Sequence, residues 1–176
     1  SVYAVDAAGN TCNPVSRIWV VDTIAPTDPV IDGRPSLLTN KAGFSMTAAS
    51  DDATEITYHW TFNGAESTGA TLSGTATEGA NSVRVYATDE AGNKSKETTY
   101  GWTLDTTNPV IHPIAGAPEE GVVTNGTDFA FTVSADDATT VAYHWSTNGV
   151  AVAGHVTAEL SGTAREGTNT VSVFAV

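Results

Sequence analysis

The fold of this chain is indicated by a stretch that it contains twice, first as Val2-Tyr3-Ala4-Val5-Asp6-Ala7-Ala8-Gly9-Asn10 and again as Val85-Tyr86-Ala87-Thr88-Asp89-Glu90-Ala91-Gly92-Asn93. The two copies lie 83 positions apart, and the match continues at that offset, where Trp19 aligns with Trp102. Self-similarity at a fixed spacing is typical of repeat architectures, in which each copy is one structural unit. The chain is therefore predicted to be a tandem array.

A second set of matching segments, separated by 85 residues, covers the middle of the chain. The run Asp51-Asp52-Ala53-Thr54 recurs as Asp136-Asp137-Ala138-Thr139, and Tyr58-His59-Trp60 recurs as Tyr143-His144-Trp145. The offset grows to 88 after a three-residue insertion, so that Leu72 aligns with Leu160. Three repeats are therefore represented, although not all of them in full.

The matching segments also predict the domain boundaries. Residues 1–24 match the C-terminal strands of one repeat, residues 25–105 make a complete repeat, and residues 106–176 make a further repeat that lacks its last strand or strands. Because the array is cut out of phase, we expect the chain to be a piece of a longer polypeptide.

The charge and composition exclude several classes of partner. The 20 acidic and 7 basic residues give a net charge of −13 at pH 7. Such a chain would repel a phosphate backbone and an anionic membrane surface, so neither nucleic acid nor membrane lipid is an expected partner. The single cysteine, Cys12, cannot form an internal disulfide. No apolar run reaches the length of a membrane helix, so no membrane insertion is expected in this segment.

Alternating apolar and polar residues predict strands and no sustained helix. The apolar members at positions 56, 58, 60 and 62 are typical of a strand with one buried face. Asn63-Gly64 and Asn148-Gly149 follow such strands and predict tight hairpins, because both turn residues need positive φ. Through the complete repeat we predict seven strands, at 29–32, 43–50, 56–63, 66–69, 70–76, 81–89 and 96–105. Seven short strands with a tryptophan in the third predict an all-β immunoglobulin-like sandwich, and successive sandwiches are expected to be linked end to end.

Two motifs carry a resemblance to a known family. They are the segment Asp-x-Ala-Gly-Asn and the aromatic strand that ends Trp102-Thr103-Leu104-Asp105-Thr106-Thr107-Asn108-Pro109. Together they resemble the tandem bacterial immunoglobulin-like (Big-type) repeats of large cell-surface adhesins and biofilm-associated proteins. The resemblance spans the chain and is clearest at 6–10, 19–26, 89–93 and 102–109. It implies a spacer on a bacterial cell surface, and several members of that family bind calcium between consecutive domains.

Sandwich topology predicts where the acidic residues would meet. In an end-to-end array the residue that closes one repeat, Asp22, is expected to approach two loops of the next repeat. Asp105, together with Glu78, is expected to approach Asp136 and Asp137 at the following junction. Calcium takes roughly six to eight oxygen ligands, which carboxylates, backbone carbonyls and water would supply. We therefore predict interdomain calcium ions held by residues from this set: Asp22, Asp51, Asp52, Asp89, Asn93, Asp105, Asp136, Asp137 and Glu78.

The alternative interpretation of these residues is purely structural. Asp and Asn are common turn residues because their side chains cap nearby backbone amides. Asp6 and Asp89 in particular are placed to cap the Ala-Gly-Asn turn. Both interpretations stay open on the sequence alone.

No pattern in the chain is typical of an enzyme. His59 and His144 occupy the same outward strand position in successive repeats, where a polar residue on the solvent face is expected rather than a catalytic base. No histidine lies at metal-ligand spacing from a cysteine, so no zinc site is expected. All four tryptophans lie at repeated strand positions and are expected in or near the core rather than on a sugar-stacking surface: Trp19, Trp60, Trp102 and Trp145.

The leading functional prediction is an extracellular spacer of a bacterial adhesin, whose partners are the neighbouring repeats of the same chain. A binding module for a host-cell glycan, a protein or a biofilm ligand is the first alternative. It stays open because the loop at 146–160 differs in length from its counterpart at 61–72. An accessory array attached to a secreted enzyme is the second alternative.

Overall fold

The computed structural model describes residues 1–176, and every regular element in it is a β-strand. None of its elements is a helix long and apolar enough to cross a membrane. The chain divides into two compact units, one formed by Ser1–Leu37 with Ala42–Thr103 and the other by Leu38–Lys41 with Leu104–Val176. The predicted all-β fold is confirmed.

The complete repeat forms a sandwich of two sheets. Its strands in chain order are β1 (Val30–Asp32), β2 (Leu38–Thr39), β3 (Gly43–Ala49), β4 (Thr57–Phe62), β5 (Ala65–Thr68), β6 (Thr71–Thr75), β7 (Gly79–Thr88) and β8 (Thr98–Leu104). One sheet has the order β1-β3-β6 and the other has the order β2-β8-β7-β4-β5. The chain crosses repeatedly between the sheets, as an immunoglobulin-like sandwich does, so the predicted fold class is confirmed.

All seven strands predicted for this repeat are present, with ends that differ by no more than two residues. The strand that the sequence pattern missed is β2. It has only two residues, which is too short for an alternation to be recognised. Its place is fixed by backbone hydrogen bonds instead, since the Thr103 N–H donates to the Leu37 carbonyl at 2.8 Å and the Asp105 N–H donates to the Thr39 carbonyl at 2.9 Å.

Both predicted hairpins are formed. Asn63 and Gly64 have φ values of 45° and 89°, and they join Phe62 to its cross-strand partner Ala65. The turn at Asn148 has φ values of 52° and 77° at its two central residues. Positive φ at both positions is the condition for a tight turn that matches the twist of the flanking strands.

Aromatic side chains fill the space between the two sheets. Trp60 on β4 is 1% exposed, and its indole N–H donates to the Gly69 carbonyl at 2.9 Å. Phe44 on β3 meets Trp102 on β8 edge-on, with 5.3 Å between the ring centroids. Gly74 lies against the Phe44 ring, where an added Cβ would be 3.1 Å from Phe44 Cζ. The ring therefore packs in the space that a side chain on β6 would otherwise fill.

The second unit repeats part of this plan. Its strands are β9 (Val110–Ile111), β10 (Ala115–Ala117), β11 (Asp128–Thr132), β12 (Ala135–Asp136), β13 (Tyr143–Thr147), β14 (Val150–Ala151), β15 (Glu159–Thr163) and β16 (Val171–Ala175). They form sheets with the orders β10-β11-β15, β14-β13-β16 and β12-β9. Val133, Trp145 and Leu160 form the buried core between them.

Residues 2–15 form a local hairpin, and residues 16–24 continue from it without a strand. Val2 pairs with Val15 through an isolated antiparallel bridge. Trp19 is 74% exposed, whereas its equivalent Trp102 is 4% exposed. The prediction that all four tryptophans lie in or near the core is therefore wrong for Trp19. A strand becomes buried only against a facing layer, and residues 1–24 supply no second layer.

A buried amide organises the turn that precedes β7. Asn81 is 3% exposed, and its Oδ1 accepts from the Thr77 N–H at 3.0 Å and from Asn63 Nδ2 at 2.9 Å. Its Nδ2 donates to the carbonyls of Thr77 and Gly79 at 2.7 and 2.9 Å. Asn169 makes the same kind of bonds in the second unit, but it is exposed.

Losing a hydrogen bond costs more free energy when its partners are buried. Asn81 and Asn169 should therefore contribute differently to the stability of the folded chain. We expect Asn81→Ala to lower the free energy of unfolding by roughly 1–3 kcal/mol, since it leaves buried backbone groups without partners. The matched variant Asn169→Ala should cost about 0.5 kcal/mol, because water replaces its bonds. Urea unfolding followed by tryptophan fluorescence measures both, and equal losses would contradict this account.

Candidate metal centre

Three carboxylates converge in the first unit. They belong to Asp22, Asp52 and Asp89, and one oxygen of each lies within 4.8 Å of the others. Asp22 begins the segment that leads into the complete sandwich, Asp52 lies in the loop after β3, and Asp89 directly follows β7. The sandwich topology thus brings two loops and the entering chain to the same place.

The turn after β7 holds Asp89. Its Oδ1 accepts from the Asn93 N–H and its Oδ2 accepts from Asn93 Nδ2, both at 2.7 Å. The Gly92 N–H also donates to the Asp89 carbonyl at 3.2 Å, and Gly92 has a φ of 90° that favours glycine. Asp89 is 7% exposed. The turn therefore fixes a buried carboxylate in one orientation.

Hydrogen bonding decides the direction of the Asp89 pKa shift. Burial raises the pKa of Asp89, but the bonds from the Asn93 side chain and from the backbone amides of the turn lower it by more. The pKa consequently lies below its ordinary value of 3.8, and the carboxylate is ionised at neutral pH.

Asn93 connects this turn to the entering chain. Its Nδ2 donates to the Asp22 carbonyl at 3.2 Å and to the Ile24 carbonyl at 3.4 Å. The Asp22 carboxylate in turn accepts from the Ile24 N–H at 3.0 Å. Asn93 therefore acts here as a donor that positions Asp22 and Asp89.

A local turn also orients Asp52. Its Oδ1 accepts from the Thr54 N–H at 2.9 Å and from Thr54 Oγ1 at 2.8 Å. The same loop is tied to the entering chain by Thr27, whose N–H donates to the Asp51 carbonyl at 3.0 Å and whose Oγ1 accepts from the Asp51 N–H at 2.8 Å. Thr27 and Thr54 were missed by the sequence analysis, although the recurrence of Asp-Ala-Thr was a signal for the latter.

The arrangement is suited to a hard cation. All three groups are oxygen donors, and no lysine, arginine or histidine forms an ion pair with them. Two ligands on opposite sides of a calcium ion lie about 4.8 Å apart, because each Ca–O distance is about 2.4 Å. The carboxylate oxygens of the cluster fall within this limit. Without a cation, three negative charges at this distance repel one another.

The remaining predicted ligands lie outside this cluster. The Asp51 side chain is exposed, and it is the backbone of this residue that pairs with Thr27. Glu78 is exposed in the first unit, in the turn before β7. Asp105, Asp136 and Asp137 belong to the second unit.

The second unit reproduces part of the same geometry. Asp105 Oδ1 accepts from the Thr107 N–H at 3.1 Å, as Asp22 does from Ile24. Asp137 Oδ1 accepts from the Thr139 N–H at 2.7 Å, and its Oδ2 is buried without a hydrogen-bond partner. The bonds from Thr139 place the pKa of Asp137 below its ordinary value. Asp136 instead contacts His112, with 2.9 Å between Oδ2 and Nε2.

The outward strand histidines are involved in stacking. The His59 and Tyr86 rings are stacked with 4.7 Å between centroids, and His59 Nε2 lies 2.9 Å from Thr88 Oγ1. His144 stacks on Phe174 at 4.9 Å. These contacts lie on strand surfaces apart from the carboxylate cluster and supply no ligand to it.

Solved structures that resemble the chain are sandwich modules of other proteins. One is the PKD domain of an M14-like peptidase from Thermoplasmatales archaeon SCGC AB-540-F20, with 21% identity, a TM-score of 0.41, and coverage of 47% of this chain and 98% of that one. The fibronectin(III)-like modules of Clostridium thermocellum CbhA have 20% identity and a TM-score of 0.48, with 84% of each chain covered. The central fibronectin-III array of RIM-binding protein has 14% identity and a TM-score of 0.32, covering 86% of this chain and 62% of that one. No model of a protein family and no curated protein sequence matches the chain.

The lowered pKa of Asp89 predicts an acid-dependent loss of stability. A carboxyl group whose pKa is lower in the folded state contributes stability that is present above its unfolded pKa and is lost as pH falls through its folded pKa. In chelator, we expect Asp89→Asn to lower the free energy of unfolding at pH 7, because the hydrogen bonds that lower the Asp89 pKa stabilise its carboxylate by more than the repulsion from Asp22 and Asp52 destabilises it. The difference from the parent chain should shrink as the pH falls below about 4. Chemical unfolding at several pH values measures this, with Glu90→Gln, a change at the exposed neighbour, as the control. A difference that is constant across this pH range would contradict it.

Proposed function

We propose that this chain is a non-catalytic structural spacer, and that a calcium ion at Asp22, Asp52 and Asp89 stiffens the entry into its complete sandwich. The observation that carries the proposal is the convergence of these carboxylates from the entering chain and from two separate loops. A cation bound to all three would connect the end of one repeat to the body of the next.

The environment of the carboxylate cluster favours a bound divalent ion over the alternative that these residues only cap turns. Hydrogen bonds from Asn93 and Thr27 hold the entering chain against the two loops, but they do not compensate the negative charge of three carboxylates whose oxygens lie within 4.8 Å of one another. An uncompensated group of three carboxylates is unfavourable, and bound Ca²⁺ would reverse the sign of that interaction. In the second unit, the buried Oδ2 of Asp137 without a partner is the kind of atom that a cation would satisfy.

The entering chain is already restricted before a cation binds. Pro26 is buried, and proline fixes its own φ while limiting the residue before it. The next residue, Thr27, is restricted by two hydrogen bonds to the Asp51 backbone, one from its N–H and one to its Oγ1. A short, restricted connection of this kind suits a spacer, which must transmit position along an array.

We further propose that the chain lies on the surface of a bacterial cell. The Asp-x-Ala-Gly-Asn repeats and the acidic composition support an extracellular adhesin in which such sandwiches are arrayed, with neighbouring repeats as partners. A strongly negative charge keeps a long surface protein soluble.

A ligand-binding module is the second candidate, and a single loop favours it. The segment between Gly149 and Leu160 contains a three-residue insertion relative to the complete repeat, and it exposes Val156. A spacer has no need for a divergent loop. This loop would have a role if it bound a host glycan or protein. It would also have one if the array were attached to a secreted enzyme.

Calcium binding should stabilise the first unit by an amount that depends on Asp52. With a dissociation constant near 10⁻⁴ M, as is common for extracellular calcium modules, 10 mM calcium should add about 2.7 kcal/mol to the free energy of unfolding. Thermal unfolding of the full chain in calcium and in chelator measures this shift. We expect Asp52→Asn to abolish most of it.

The adjacent residue supplies the matched control. Asp51→Asn removes the same charge from the same loop, but the Asp51 side chain lies outside the carboxylate cluster. This variant should keep the calcium-dependent shift. A shift that is absent in the parent chain, or that both variants lose equally, would contradict the proposed centre.

A further inference from the structure

We propose that Asn125 is a site of spontaneous covalent modification, at which its side-chain amide is lost through a cyclic imide formed with Gly126. The chain contains three Asn-Gly pairs, at 63–64, 125–126 and 148–149. Glycine has no Cβ, so its backbone nitrogen is less shielded than that of any other residue. The structure protects two of the three pairs and leaves the pair at 125–126 open.

The reaction needs water and no other reagent. The Gly126 nitrogen attacks Cγ of Asn125, a new N–Cγ bond forms, and the N–H proton passes to water. The Cγ–Nδ2 bond then breaks, ammonia leaves with a proton from water, and a five-membered succinimide ring remains. Water opens this ring at either carbonyl. The products are an ordinary aspartate at position 125 or an isoaspartate, in which the main chain runs through the former side chain.

Hydrogen bonds protect the pair at Asn63. The Asn63 Oδ1 accepts from the Ser82 N–H and its Nδ2 donates to Asn81 Oδ1, both at 2.9 Å. Both partners lie on β7, so the amide is tied to a neighbouring strand. The φ values of Asn63 and Gly64 are fixed by the hairpin turn between β4 and β5. These bonds must break before Cγ can turn toward the Gly64 nitrogen.

The pair at Asn148 is protected in the same way. The Asn148 Oδ1 accepts from the Thr170 N–H at 2.8 Å, and its Nδ2 donates to Asn169 Oδ1 at 3.1 Å. The hairpin between β13 and β14 fixes the turn that contains Asn148 and Gly149. Both residues are nevertheless exposed. Exposure alone therefore does not distinguish the three pairs, whereas the bonding of the asparagine amide does.

Asn125 lies in the connection between β10 and β11 and outside any hairpin turn. It is exposed, and its side chain makes no hydrogen bond with the chain. A Cβ built on Gly126 would have only Thr124 Oγ1 within 4 Å, at 3.4 Å. The Gly126 N–H donates to that same Oγ1 at 3.0 Å, which is the one contact that opens before the nitrogen reacts. The attacking and the attacked atom are thus both accessible.

The complete repeat has the same turn with a different second residue. Asn40 aligns with Asn125 and is exposed as well. The Lys41 N–H donates to Thr39 Oγ1 at 3.1 Å, which matches the bond made by Gly126. The lysine side chain shields the nitrogen that glycine leaves open. The two repeats therefore differ at this site in one residue and not in local structure.

Modification would alter the second unit in two ways. Loss of the amide adds one negative charge to a chain whose net charge is −13. The isoaspartyl product also adds a methylene group to the main chain, two residues before Thr127, whose carbonyl accepts from the Ala164 N–H at 2.6 Å. β11 begins at the following residue, and its Phe129 and Phe131 pack against the core of this unit. The altered main chain thus leads directly into a strand of the sandwich.

Peptide mapping by mass spectrometry tests the proposal, after incubation of the folded full chain at mildly alkaline pH. We expect the mass gain of an amide-to-acid conversion to appear at Asn125 at least about tenfold faster than at Asn63 or Asn148, whose side-chain hydrogen bonds must open first. Gly126→Ala should slow the conversion at Asn125 by a similar factor. This variant should fold, since Gly126 has no positive φ and its added Cβ would make an ordinary contact.

Incubation of the same chain in concentrated urea is the control. Unfolding removes the hydrogen bonds at Asn63 and Asn148, so the three Asn-Gly pairs should then react at similar rates. Equal rates at the three pairs in the folded chain would overturn the proposal. So would an Asn125 that converts in urea but stays intact in the folded chain, or a Gly126→Ala variant that converts as fast as the parent.

Discussion

The close approach of three carboxylates, from Asp22, Asp52 and Asp89, is the constraint on which the interpretation of this molecule depends. Like charges held within 4.8 Å are unfavourable, and nothing basic on the chain pairs with them. The fold nevertheless places them together through three separate elements. Such an arrangement is expected where a divalent cation supplies the missing positive charge.

Each carboxylate is oriented by its own short turn before it meets the others. Asn93 orients Asp89, Thr54 orients Asp52, and the Ile24 amide orients Asp22. The turn-capping interpretation and the metal interpretation are therefore compatible for these residues. The turns fix the side chains, and the sandwich topology brings the fixed side chains to one place. The second unit shows the turns again at Asp105 and Asp137.

Much of the fold could be predicted because the deciding signals are local. Alternation defines the strands of the complete repeat, and Asn63-Gly64 defines a hairpin through the positive φ of two adjacent residues. The meeting of Asp22 with Asp52 and Asp89 followed from strand order alone. The sequence could not show which of the two adjacent residues, Asp51 or Asp52, joins the carboxylate cluster. That depends on the side-chain direction of each residue in one loop. Nor could the sequence reveal the exposure of Trp19, because burial depends on a facing layer and not on the residue itself.

A cation at this cluster would bridge the entering chain and the sandwich. The most direct test is a crystal structure of the full chain grown with calcium, with the carboxylate cluster inspected for a bound ion. We predict density for one ion between Asp22, Asp52 and Asp89, with an oxygen of each residue at about 2.3–2.6 Å from the ion. Carboxylates that turn away from one another, with only water between them, would contradict it.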